Sequence, residues 1–249
     1  MTAPIPREIP DLPAVRATTP PLLRPPVPAT AVLAPSHRPR AAVFRLLTAL
    51  TAAAGVTLAI LRSTPLHALS HFAVQANLLL AVTMFVSASR AWRARRPLSP
   101  WLSGAALLYT LVSALAYHLL LAHTTPPFSM TGTPAPPERW HLQWAALQLL
   151  HTVAPAAALL DWLCLTPAPR LHLRQATSWL LYPLAYLAFY LARPLVHPSA
   201  YLYPFLDPTA HGYRATLANA LLLGLAIYAL AVLLIALDHT RPTPVRRPL

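Results

Sequence analysis

Lysine is absent from this chain of 249 residues, acidic residues number six, and there is one cysteine. Charged residues make up 10% of the chain, well under the roughly 25% of a soluble domain, so an ordinary water-soluble globule is excluded. A hydrophobic content of 56% likewise excludes a wholly disordered protein. The lone Cys164 rules out an intramolecular disulfide framework and a multi-cysteine zinc site, and is expected as a small apolar residue within a helix. Five glycines, none grouped in a phosphate-cradling loop, exclude a P-loop enzyme. No cofactor and no metal are called for by any motif.

What the chain does contain is long apolar runs, each near the roughly 20 residues that cross a bilayer core. They fall at 41–61, 70–89, 101–122, 142–165, 176–192 and 215–237. The expected fold class is all-α: a polytopic integral membrane bundle of six transmembrane helices occupying 41–238. The fifth run is the shortest and holds Pro183, an interruption tolerated in a membrane helix when neighbours satisfy the freed carbonyl. Eleven prolines crowd residues 1–40, which reads as a disordered Pro/Arg-rich cytoplasmic tail. Residues 239–249 form a short basic cytoplasmic tail.

Every one of the nineteen basic residues is arginine, and their distribution sets an orientation. One side collects Arg7, Arg16, Arg24, Arg38, Arg40 and Arg45, then Arg90, Arg93, Arg95 and Arg96. Arg170, Arg174, Arg241, Arg246 and Arg247 join them, which leaves Arg62, Arg139, Arg193 and Arg214 on the other. The positive-inside rule therefore places both termini in the cytoplasm of a bacterial plasma-membrane protein, consistent with an even number of spans. The expected partners are membrane lipids, with anionic headgroups on the cytoplasmic side, and no nucleic acid.

The candidate chemistry lies in polar residues inside the apolar runs. His141, Trp144, Gln148 and His151 recur at spacings of three and four, a single helical stripe running from the outer surface to mid-bilayer. Pro155 follows and removes the donor for the carbonyl of His151, so a titratable group and an open carbonyl are expected together at membrane depth. His67, His71 and Gln75 share a face of the second run, whereas Asn77 lies far around it and must meet a different neighbour. His118 and Asn219 stand at similar depth and are expected to join the same polar group. Asp161, near an inner helix end, is expected at the interface or paired with Arg170. Trp179, Tyr182, Tyr186, Phe189 and Tyr190 form an aromatic stripe, read as a packing face or the wall of a lipid groove.

Several short stretches resemble those of a known family. His71-Phe72-Ala73-Val74-Gln75-Ala76-Asn77-Leu78-Leu79 resembles the opening of the second helix in the bacterial Pr-six-Pr integral membrane proteins. Leu150-His151-Thr152-Val153-Ala154-Pro155 with Asp161-Trp162 resembles their fourth, and Tyr182-Pro183-Leu184-Ala185-Tyr186 and Tyr203-Pro204-Phe205-Leu206-Asp207 resemble their fifth helix and outer loop. The likeness runs over roughly 41–240. It implies a six-span membrane protein without an assigned biochemical role, a membrane regulator among the readings. These proteins are distantly similar to the animal androgen-induced six-span membrane proteins, which hydrolyse lipid esters with an intramembrane threonine and histidine. The histidine would fall on His151, while the threonine position carries Ala73. Ser70, Thr83 or Thr110 would then have to supply the nucleophile. A third reading takes His118 and His151 as a bis-His haem or metal site between facing helices.

Overall fold

The computed structural model describes residues 37–124, 128–131, 140–167, 171–196 and 201–241, all within a unit spanning Ser36–Leu249. Every regular element there is helical. In chain order they are α1 (Pro39–Arg62), a short α2 (Pro65–Leu69), α3 (Phe72–Trp92), α4 (Pro100–Leu121), α5 (His141–Leu165), a short α6 (Leu173–Trp179), α7 (Leu181–Val196) and α8 (Pro208–Thr240). Five of them (α1, α3, α4, α5 and α8) are long and apolar enough to cross a membrane, and the protein is a multi-pass helical membrane protein. Large leucines face outward, Leu61 and Leu221 being three-quarters exposed, as a hydrocarbon solvent permits.

Two of the expected boundaries are corrected by the termini of the bundle. Pro39 and Arg40 belong to α1 and not to the tail, because proline is well tolerated in a helix's first turn. At the other end α8 runs on through His239 and Thr240. The disorder expected for the N-terminal tail concerns residues 1–36, which lie outside the described residues, as does 242–249 of the short basic tail. His67, His71 and Gln75 do not share one helix: α2 ends at Leu69 and α3 begins at Phe72, with extended backbone at His71.

The fifth apolar run is divided. A turn at Leu180 separates α6 from α7, leaving α7 with 16 residues. Pro183 therefore sits in the first turn of α7, where its missing N–H costs no helical bond. The break is held by neighbours: Tyr109 donates to the carbonyl of Trp179 at 2.9 Å, and the Trp179 indole N–H donates to Trp101 O at 3.0 Å. Gly104 makes room for that indole, since a Cβ there would meet the Trp179 ring at 2.6 Å.

Small buried residues let α1 and α3 approach closely: Ala49 and Ala52 of the first share one packed cluster with Ala76 and Ala81 of the second. Two buried ion pairs then tie the helices at one end. Asp161 accepts from Arg45 at 2.8 Å, and Thr166 bridges the same two groups. Asp161 is thus buried and paired with Arg45; the expected partner Arg170 lies outside the described residues. Asp238, fully buried, binds Arg241 and accepts the Leu171 N–H at 2.9 Å, while the Arg241 guanidinium lies 4.2 Å over the Trp162 ring. Cys164 stands exposed on the last turn of α5.

Candidate functional site

Among the described residues α8 is kinked at Gly212, and π turns replace α geometry at Tyr117–Leu121, Leu149–Val153 and Asp161–Leu165. The first two π turns hold a pair of rings: Tyr117 stacks on His151 with centroids 4.4 Å apart. Pro155 explains the second. The Ala154 N–H reaches back to Leu149 O, and the donor that would next serve Leu150 O is missing because residue 155 is proline. The orphaned carbonyl is therefore that of Leu150, one residue before the expected position, and Asn77 donates to it at 2.9 Å. The amide of Asn77 also reaches Ala73 O, so it fastens α3 to the turn that carries His151.

His151 itself is buried, and its Nδ1–H donates to Leu147 O at 3.0 Å. Because a carbonyl only accepts, this bond fixes the tautomer and leaves Nε2 as an acceptor. His151 lines a cavity of about 560 Å³ whose other walls are almost entirely apolar. Ala73, Ser113 and Ala116 line it from α3 and α4, Tyr203 and Phe205 from one end, and Leu180, Ile227 and Tyr228 from the other. The mouth lies between α7 and α8, since the lining residues Leu184, Leu217, Leu221 and Leu225 are each more than half exposed. The cavity therefore opens sideways between two helices and not along α5 toward His141.

That geometry corrects the stripe expected along α5. His141 is exposed, and neither it nor Gln148 lines the cavity. The π turn inserts a residue and rotates His151 away from the face that carries Gln148. Gln148 instead ends a relay on a separate face: Thr152 donates to its Oε1 at 2.9 Å, and the Nε2–H of His118 donates to Thr152 Oγ1 at 3.0 Å. Gln75 bonds Leu69 O and the Tyr182 hydroxyl, and Asn219 donates to Phe205 O, pinning the loop at the Phe205 end of the cavity. Of the candidates, His151 alone lines the cavity, with Asn77 supporting it from behind.

The aromatic stripe divides as well. Trp179 belongs to α6, whereas the hydroxyls of Tyr186 and Tyr203 both accept from the Phe72 N–H, filling the uncapped start of α3. Above them, His67 and His71 each donate Nε2–H to Met130 O at 3.0 Å, and Arg193 donates to His67 Nδ1. Burial, then the neighbouring His67, pushes His71 down to about 3, while burial and Arg193 lower His67. Both rings are neutral donors near pH 7.

Ser113 was not singled out by the sequence. Its hydroxyl is buried, has no partner among the described residues, and stands one helical turn from Tyr117 on the cavity wall. The only sequence signal was a serine within an apolar run. Ser70, Thr83 and Thr110 spend their hydroxyls on carbonyls of their own segments. No group of three metal-ligating side chains converges among the described residues. No protein-family model, curated protein or solved structure matches the chain.

Proposed function

We propose that this protein is a six-span membrane protein of the Pr-six-Pr type that takes the hydrocarbon chain of a membrane lipid sideways into the cavity between α7 and α8, and acts as a lipid-responsive membrane regulator. The observation that carries this reading is the cavity itself: apolar, open between outward-facing leucines of α7 and α8, and edged by a single buried histidine. A dry apolar pocket facing hydrocarbon admits an acyl chain with little desolvation cost, while an ionic substrate would meet no paired charge there. Photo-labelling of the purified protein with a diazirine-bearing fatty acid tests it. Labels concentrated on Leu184, Leu217 and Leu221 are expected. Even labelling over the outward leucines of α1 and α3 would overturn it.

The six crossings and the orientation are part of the same proposal. Arg45–Asp161 and Arg241 over Trp162 gather the start of α1, the end of α5 and the end of α8 at one end. His67, His71, Arg193 and Met130 gather at the other. On this reading α6 and α7 together make the sixth pass. The arginine-rich end faces the cytoplasm and anionic headgroups of a bacterial plasma membrane, with both termini inside.

A second reading is lipid-ester hydrolysis, favoured by the free Ser113 hydroxyl sharing a wall with His151. Ser113 Oγ would attack the ester carbonyl, His151 Nε2 would take its proton and return it to the departing alcohol, and water would then release the acid. Labelling by a serine-directed fluorophosphonate, lost in Ser113→Ala and His151→Gln but kept in Ser70→Ala, is the expected result. Unlabelled wild-type protein sinks the hydrolase and leaves lipid binding standing. The bis-His reading has no comparable support, because His118 is exposed and engaged by Thr152.

A further inference from the structure

Gly212 of α8 answers to a positive φ of 76°, and the remaining described glycines of the bundle divide into two kinds. At Gly55 and Gly104 a Cβ would collide with Leu150 at 3.0 Å and with Trp179 at 2.6 Å, so glycine there permits helices or rings to approach. Gly224 is different. A Cβ at Gly224 would meet nothing within 4 Å, and its backbone has no positive φ to require glycine. Glycine within a helix sacrifices stability relative to alanine, and at Gly224 neither packing nor backbone geometry compensates. What Gly224 does border is the cavity.

Leu217, Ala220, Gly224 and Ile227 follow one another at spacings of three and four, so they form one stripe of α8, and all four line the cavity. From Leu217 to Tyr228 the stripe is about 16 Å long at 1.5 Å per residue. Its small members lie in the middle, and the end away from Tyr203 and Phe205 is lined by Ile227, Tyr228 and Leu180. The opposite wall carries the buried, unpartnered hydroxyl of Ser113, a polar group left without any protein partner among the described residues. Space is therefore kept open along α8 by residue choice, and that space ends at Ile227 and Tyr228.

We propose that Ala220 and Gly224 form the floor of a chain-length gauge: they hold open the inner part of the cavity, so that the depth down to Ile227 and Tyr228 sets the length of hydrocarbon chain the protein accepts. This rests on the lipid-chain reading of the same cavity. A Cβ added at Gly224 meets no neighbour, so a longer side chain there fills cavity space between Ala220 and Ile227 and shortens the site.

The full-length protein in nanodiscs is labelled with two photo-reactive fatty acids, lauric and stearic analogues that carry a terminal diazirine. Wild type labels with both, the stearic label lying deeper, near Ile227. Gly224→Leu is expected to lose stearic labelling several-fold while keeping lauric labelling. Gly224→Ala, which restores helix propensity, is expected to melt higher than wild type and lose only part of the stearic signal. Equal loss of both probes in a Gly224→Leu protein that melts like wild type overturns the gauge, as does no change in either. Wild type that labels with neither probe overturns the lipid-chain reading itself.

Discussion

Asn77 shows how one side chain can decide local geometry in hydrocarbon. An unpaired carbonyl in lipid has no water to turn to, and Asn77 supplies the donor that proline removed from Leu150. Asn77→Leu leaves that carbonyl bare and is expected to cost about 1–3 kcal/mol, seen as a lower melting temperature in detergent. A leucine variant with wild-type melting would show that the π turn needs no external donor. His71 offers a pH test. Its folded pKa, about 3, lies below the ordinary 6.5, so the unfolded chain binds a proton that the native chain refuses. Stability should hold above pH 6.5 and fall as pH drops toward 3, by up to about 1.4 kcal/mol per pH unit. Unfolding measured between pH 7.5 and 5 should show this acid arm in wild type and a flatter one in His71→Gln; identical arms would remove His71 as the cause.

At the scale of elements, the long helices were legible because apolar run length is a direct consequence of bilayer thickness. The division of the fifth run was not. A turn at Leu180 needs the carbonyl of Trp179 to find a donor, and that donor, Tyr109, lies 70 residues earlier in the chain. The stripe along α5 failed for a related reason: periodicity assumes 3.6 residues per turn, and the π turn at Leu149–Val153 breaks it. The pairing of Asp161 with Arg45 spans 116 residues and ties α1 to α5. Removing one partner strands a buried charge. Arg45→Met should therefore cost about 3–5 kcal/mol, while Arg45→Met with Asp161→Leu should recover most of that loss. Melting of the two variants in detergent decides the matter: a double variant no more stable than the single would mean that the pair acts through something besides charge.

For the whole molecule, the start of α1 and the end of α8 both meet the end of α5, through Arg45 on Asp161 and Arg241 over Trp162. Reporter fusions at either terminus should be active only in the cytoplasm; activity outside the cell would reverse the proposed orientation. The sequence by itself determined the membrane class, the helical architecture and His151 as a buried polar group, because hydropathy, run length and proline act locally along the chain. Tertiary structure alone decided the cavity, its sideways mouth, the partnership of His151 with Tyr117, and the free hydroxyl of Ser113. Each depends on residues that are distant in sequence. In a uniformly apolar chain, helix contacts are chosen by fit between small and large side chains, and one-dimensional hydropathy carries no record of that fit.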